Sequence, residues 1–324
     1  MNKAMVVLLL LALALVVAVA APFVPLGMLR ETSDETAAKI FWNMRVPRVL
    51  MAIVAGAGLA ASGMALQAIF RNPLATPFTL GVASGASLGA CVYIHLGLAL
   101  SPLWIPGESW SAFAGAVLSI VLVYGLTRTR RGFSTATLLL AGVAINFFFS
   151  SLILLMQYLS DFTDTYRILR WMMGGLERGV TYRDLYAVLP LVAGGTAIVV
   201  YLTHELNLIT TGDELAASRG VEVNRTKGVL FFAVSLVVGA IVAVCGPIGF
   251  VGLMAPHICR LLVGPDHRYL TPATLLFGAA FLTACDTLAR TVMFPVELPV
   301  GIITALLGGP FFLWLLLRRS AAWE

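Results

Sequence analysis

Charge is scarce in this sequence: 11% of its 324 residues are Asp, Glu, Lys or Arg, against about 25% in an ordinary soluble protein. With 60% of residues hydrophobic, a soluble globular fold is excluded. Long polar stretches are also missing. The two largest, Asp161 to Asp184 and His204 to Lys227, fall far short of the roughly 100 residues that a soluble catalytic domain needs in one block. No Gly-Lys pair occurs, which removes the G-x-x-x-x-G-K-[ST] loop that cradles nucleotide phosphates. If ATP drives this protein, the hydrolase is another chain. The four cysteines, Cys91, Cys245, Cys259 and Cys285, sit inside apolar runs without the paired spacing of a zinc site or a disulfide framework. His204-Glu205 opens like a zinc-protease motif, but Leu208 stands where the second histidine belongs. No metal or cofactor motif survives. The net charge of +5 is scattered between apolar runs and does not form the basic stripe of a nucleic-acid binder.

What is present is a series of apolar segments. A spanning helix takes about 20 residues, so ten helices leave only loops and tails, and the chain reads as one polytopic membrane domain over residues 1–324. The first segment, Met5 to Ala21, resembles a signal peptide but is longer than the usual apolar core of about 7 to 15 residues. It is expected to stay as the first helix, with Lys3 on the cytoplasmic side. The second begins at Pro47, where a missing amide hydrogen costs nothing, and ends at Arg71-Asn72-Pro73. Further runs are Phe78 to Leu98, Ser111 to Leu126, Thr135 to Leu159, Leu185 to Tyr201, Val229 to Cys245, Thr274 to Met293 and Gly301 to Leu317. Between Gly246 and Gly264, Pro247, Gly249, Gly252 and Pro256 break the pattern. Arg318 and Arg319 favour a cytoplasmic C-terminus, and two cytoplasmic ends require an even number of crossings. A short eighth helix from Pro256 to Gly264 completes ten. This topology puts eleven basic residues inside, including Lys3, Arg71 and Arg219, and nine outside, including Arg30, Arg45, Arg48, Arg167, Arg170 and Arg290. The margin is small, and the outer arginines are expected to serve a task. The second and seventh spans share glycines leading into a polar, proline-containing end and run in opposite directions, the pattern of an inverted repeat.

Some motifs have plain structural readings. Gly85-Ala86-Ser87-Leu88-Gly89 matches the G-x-S-x-G elbow of serine hydrolases, but that elbow needs a strand-to-helix turn. Gly81, Gly85 and Gly89 recur every four residues, which favours a face for close helix packing. Asp286 and Arg290 are four apart and can pair on one helix face, and Arg260 is expected to reach the cytoplasmic interface. His257 beside Pro256 reads as a capping or backbone-bonding residue. In the inner polar stretch, Thr211-Gly212-Asp213-Glu214 has the form of a capping box, starting a helix that would stop at Gly220. That helix reads as a partner-binding knob. In the outer stretch a short helix is expected near Thr165 to Met173, with Trp171 as an interface anchor.

Taken together, Arg45-Val46-Pro47-Arg48, Gln67, Arg71 to Pro77 and Leu80 to Ala86 resemble the permeases of iron-siderophore, haem and vitamin B12 importers, the FecCD or BtuC-like family. The resemblance continues through Ser134-Thr135, Leu138 to Ala144, Gly212-Asp213-Glu214, Gly246 to Leu253, Pro256-His257, Arg260, Asp286 to Arg290, and Leu298 to Phe312. It implies an all-α, ten-helix permease in the cell inner membrane, both termini cytoplasmic. A second, identical permease subunit, a pair of cytoplasmic ATP-binding-cassette ATPases and a periplasmic substrate-binding protein would complete the importer. In similar permeases arginines at positions matching Arg45, Arg48 and Arg290 dock the binding protein. The segment around 204–227, with Thr211, Gly212, Asp213, Glu214 and Gly220, matches the ATPase-coupling element. Asn72, Leu74, Ser134 and Thr135 match the cytoplasmic gate, and Asn146 lies on the span that lines the pathway. That span carries Phe147 to Phe149, Ser150, Ser151 and Gln157 and no fixed charge, a wall suited to passing a bulky chelate without binding it tightly. A ferric siderophore is the favoured cargo, with haem and cobalamin as alternatives. Two rival classes stay open: an intramembrane serine protease built on Ser87, and an ion-coupled secondary transporter using Asp286.

Overall fold

The computed structural model describes residues 2–24, 34–98, 105–128 and 135–320. Among them are α1 (Lys3–Ala20), α2 (Asp34–Ile40), α3 (Val46–Phe70), α4 (Val82–His95), α5 (Gly107–Arg128), α6 (Thr135–Leu159), α7 (Phe162–Met172) and α8 (Tyr182–Tyr201). There follow α9 (Thr203–Thr211), α10 (Asp213–Ser218), α11 (Val223–Cys245), α12 (Val251–Val263), α13 (His267–Thr291) and α14 (Val300–Ser320). Seven are long and apolar enough to cross a bilayer, and α4, α12 and α14 are shorter apolar helices that complete the ten expected spans.

One end of the bundle gathers Lys3 over the Tyr269 ring, Arg71 and Lys227 on Asp213, and Asn207 on Asp266. The other gathers Arg48 on Asp286, His95 on Ser160 and Arg178 on Glu108. These are called below the Asp213 end and the Asp286 end. The first and last spans both have their outer extremities toward the Asp213 end, as an even number of crossings requires.

Helix α3 is the axis of the packing, with almost every residue from Met51 to Phe70 buried. It can be enclosed because its small residues let neighbours approach. A side-chain carbon on Gly56 would strike Gly278 of α13, and one on Gly63 would strike Gly252 of α12. The expected glycine face of α4 behaves the same way against α5: Gly85 meets the Gly115 carbonyl and Gly89 the Ser111 carbonyl. The hydroxyls of Ser111 and Ser119 donate to the Gly89 and Gly81 carbonyls, each at 2.7 Å. Ser87 is buried in mid-helix, so no strand-to-helix elbow exists there and the protease reading falls.

Several boundaries differ from expectation for local reasons. The second span does not begin at Pro47. It continues back through a π turn, Phe41–Arg45, into α2, because proline offers no amide to the residue four before it and the Val46 amide bonds Phe41 O instead. The third run is broken by Gly81 at φ +76°, after a 3-10 turn, Pro77–Leu80, capped reciprocally by Thr76 and Thr79. The eighth span starts at Val251, not Pro256. Pro256 leaves the Gly252 carbonyl without its helical donor, and Gln67 Nε2 supplies one at 3.5 Å. Gln67 Oε1 accepts from Arg260 at 3.1 Å, so Arg260 turns back into the bundle. Trp171 is no interface anchor: it is buried under the Arg178 guanidinium, 5.3 Å from its ring. His257 is buried, its ring edge-on to Phe311 and Phe312.

The α4–α5 contact yields a direct test. Gly85→Leu should sharply lower the yield of folded protein in detergent, while Gly125→Leu, at a position with open space around it, should not. Equal yields of the two variants would contradict the close-packing argument.

Candidate functional site

At the Asp286 end, the three arginines expected to dock a partner lie together. Arg48 donates through Nε to both Asp286 oxygens at 3.1 Å and through Nη2 to Oδ1 at 2.9 Å. Its remaining Nη1 reaches Glu297 Oε2 at 2.6 Å. Arg290, one turn beyond Asp286, places Nε 3.2 Å from Asp286 Oδ2 and donates to the Ala21 and Val24 carbonyls. Arg45 donates to the Pro22 carbonyl at 3.0 Å. All three arginines and Asp286 are buried, and only Glu297 is substantially exposed. The pairing of Asp286 with Arg290 was legible from their spacing. Arg48 and Glu297 as further partners were not, because they come from helices far apart in sequence. Both oxygens of Asp286 are engaged by the Arg48 and Arg290 guanidinium groups near the end of its span, which leaves no free carboxylate for the secondary-transporter reading.

At the Asp213 end, α9 and α10 form a helical hairpin around a small cluster of Leu208, Ile209 and Ala216, with Val221 and Val223 against it. Thr211 does not cap α10. It is the last residue of α9, its hydroxyl donating back to Leu208 O at 2.8 Å, and Gly212 forms the joint with φ +133° and no side-chain cap. A helical Thr211 cannot also supply the extended backbone that a capping residue needs, so the expected box gives way to the better-packed α9. The C-terminal expectation holds. Gly220, at φ +87°, donates to Ala217 O at 3.0 Å and Val221 donates to Ala216 O at 3.1 Å, the paired bonds of a Schellman stop. Helix α10 is thus six residues, Asp213–Ser218.

Sequence reasoning missed what surrounds Asp213. Lys227 Nζ, whose side chain is 1% exposed, donates to Oδ2 at 2.6 Å. Arg71 Nη2 stands 3.4 Å from Oδ1. Asp213 is therefore tied within its own chain to the start of α11 and the end of α3, and only Glu214, Leu215 and the following turn face outward. Asn207 adds a third tie, donating to Asp266 Oδ1 at 2.9 Å and accepting from the His267 amide at 2.8 Å. The Arg268 amide, followed by Asn207, holds the Asp266 carboxyl below its ordinary range as it caps α13.

Asn72 and Leu74 begin the loop after α3. Asn72 Oδ1 accepts from the Leu74 amide at 2.9 Å, and the Leu74 side chain is exposed. Ser134 lies outside the described residues, and Thr135 begins α6. Asn146 is half-buried on α6, beside the exposed Phe147 and Phe148. Leu140 and Leu154 continue that exposed face, and among the described residues no metal-binding cluster occurs.

The two ends of α10 make opposite predictions. Gly220→Val should cost about 1–2 kcal/mol for a left-handed residue with a Cβ, speeding amide exchange over residues 213–219 by roughly 5 to 30-fold. Thr211→Ala should leave that exchange unchanged. Faster exchange in Thr211→Ala alone would restore the capping box.

These geometries can be set beside known proteins. A profile of the FecCD transport family matches residues 4–318. The chain is 42% identical to the cobalamin import system permease protein BtuC of Halobacterium salinarum, over 95% of this chain and 79% of that one. To the hemin transport system permease protein HmuU of Yersinia pestis it is 40% identical, over 89% and 86% of the two chains. Among solved structures, an inward-facing conformation of what is described as a metal-chelate type ABC transporter superposes with a TM-score of 0.86 at 31% identity, covering 96% of this chain and 98% of that one. With a matching fold, a profile spanning nearly its whole length and relatives of this identity, the chain belongs to the FecCD transport family.

Proposed function

We propose that this chain is the membrane-spanning permease of an ATP-driven importer that carries a bulky metal chelate into the cytoplasm. The observation that carries the reading is the exposed face of α6. Leu140, Phe147, Phe148 and Leu154 leave it uncovered, with Asn146, Ser150 and Ser151 interspersed and no charged residue anywhere in Thr135–Leu159. Such a face suits a second copy of the permease lining one pathway with it. It has mixed polarity but nothing that would hold a chelate strongly, which leaves selection to a separate binding protein. Two relatives are named for cobalamin and hemin transport, which supports a metal tetrapyrrole ahead of the ferric siderophore.

In this reading the Asp213 end is cytoplasmic, together with both termini, and the membrane is the cell inner membrane. The outward face of α10, Glu214 and Leu215, meets the ATPase, while Asp213 braces it from behind. Asn72, Leu74, Ser134 and Thr135 form the inner gate. At the Asp286 end a periplasmic binding protein meets Arg48 by taking the place of Glu297, and Arg45 and Arg290 hold that edge in position. Arg167 and Arg170, half-exposed on α7, offer the freer charges for the same encounter.

The cargo is tested by reconstituting the chain with its ATPase and measuring ATP hydrolysis with cobalamin-, hemin- and ferric-siderophore-loaded binding proteins. Stimulation by a tetrapyrrole-loaded protein is expected; stimulation by the siderophore-loaded protein alone would reverse the order proposed. Glu214→Arg combined with Leu215→Glu should cut ATPase co-purification by about tenfold or more, as loss of an interface hot spot does. Undiminished co-purification would move the ATPase contact elsewhere.

A further inference from the structure

Arg71 ends α3 in the left-handed region, φ +47° and ψ +35°, although it carries a Cβ. Its amide donates to Ala68 O at 3.2 Å and the Asn72 amide to Gln67 O at 3.1 Å, so the helix stops as it would on a glycine. A residue held there is strained by about 1–3 kcal/mol. Glycine or asparagine would relieve that strain, so an arginine held there points to a task for its side chain. The guanidinium points to Asp213, the first residue of the helix assigned above to the ATPase. Three residues along the same loop, the exposed Leu74 is fixed through Asn72 Oδ1.

The other oxygen of Asp213 is taken by Lys227. Lys227 is fully buried in the first turns of α11, where an unpaired ammonium would be expensive. Asp213 therefore cannot leave Lys227 cheaply. It can leave Arg71 more easily, because that contact is longer, half-exposed on both sides and, like other exposed pairs, weak. The carboxylate is a hinge pin with one firm arm and one releasable arm. A displacement of α10 carries Asp213 with it, and the releasable arm determines whether the loop after α3 follows.

We propose that the Arg71–Asp213 ion pair is the link through which movement of α10 reaches the Asn72–Leu74 loop, and that Arg71 is a positioning residue for the gate and does not itself touch the ATPase. The proposal rests on the assignment of α10 to the ATPase. It adds a specific route from that contact to the loop.

Arg71 is the better position to change, since Asp213→Asn would strand Lys227 and confuse coupling with folding. Arg71→Gly keeps a residue suited to φ +47°, and Arg71→Lys keeps the charge. Each is combined with Leu74→Cys in the full complex in lipid nanodiscs. All four native cysteines are buried, so the rate of labelling by a maleimide reports on position 74. Three quantities are read: ATPase co-purification, maleimide labelling with and without vanadate-trapped nucleotide, and cargo transported per ATP in proteoliposomes.

With Arg71 or Arg71→Lys, trapping nucleotide should change the labelling rate. With Arg71→Gly the ATPase should still co-purify and hydrolyse ATP, the labelling rate should no longer respond to nucleotide, and transport per ATP should fall about fivefold or more, the lower range of measurable coupling between sites. A labelling response that persists in Arg71→Gly overturns the link while leaving the α10 assignment intact. Loss of ATPase co-purification in Arg71→Gly also overturns it, by making Arg71 part of the docking surface. Failure of the α10 assignment itself shows separately, as normal co-purification of the Glu214→Arg, Leu215→Glu variant.

Discussion

Asp286 is 1% exposed on a helix that crosses the bilayer, so its charge has to be matched inside the chain. Arg48 approaches it from α3 and Arg290 from one turn further along α13, while Arg290 also holds the carbonyls at the end of α1. One carboxylate and its two arginines thereby tie α3 and α13 to each other and to the end of α1. Removing one member of such a group costs about 3–5 kcal/mol, because the others stay buried without a partner. The pins act on helices already in contact: α3 meets α13 through Gly56 and Gly278, and a bulkier residue at either would push Arg48 and Asp286 apart. Close packing and charge pairing at this end are parts of one arrangement.

The Asp213 end obeys the same rule with different strength. Lys227 is as deeply buried as Asp286, but its partner is half-exposed, and the second contact of that partner, to the half-exposed Arg71, is longer, at 3.4 Å. Pairs of this kind contribute little to stability and can be remade at little cost. The molecule therefore has a fixed end and an adjustable one. That asymmetry suits a chain that would receive cargo at one face and be driven by a second protein at the other.

Nine of the ten spans were legible because hydropathy reports burial in lipid directly, and the tenth, in the broken segment after Gly246, followed only from the parity of the crossings. The α4–α5 packing face was legible too, since glycines every fourth residue have few other uses in a spanning helix. Helix ends were read less well. Thr181-Tyr182-Arg183-Asp184 and Thr211-Gly212-Asp213-Glu214 have the same form, yet the first makes a reciprocal box, with the Thr181 amide donating to Asp184 at 2.9 Å, and the second does not. The difference is in what precedes them: Val180 ends a loop, whereas Ile209 is buried in a helix that draws Thr211 along. The partners of Arg48 and Asp213 come from positions up to 249 residues away, and only the folded chain brings them together. Lys227, the last charge before the apolar run to Cys245, was the one available signal, since a buried ammonium there requires an acid beside it.

Membership of the transport family and the shape of α6 leave one question above the others, which is where the energy comes from. The direct measurement is uptake of radiolabelled cobalamin or haem into proteoliposomes containing this chain, its ATPase and its binding protein, with ATP supplied to the α10 face and the proton gradient abolished by an uncoupler. Accumulation that needs ATP and is unaffected by the uncoupler is expected. Uptake that proceeds without ATP and collapses with the gradient would contradict the ATP-driven reading.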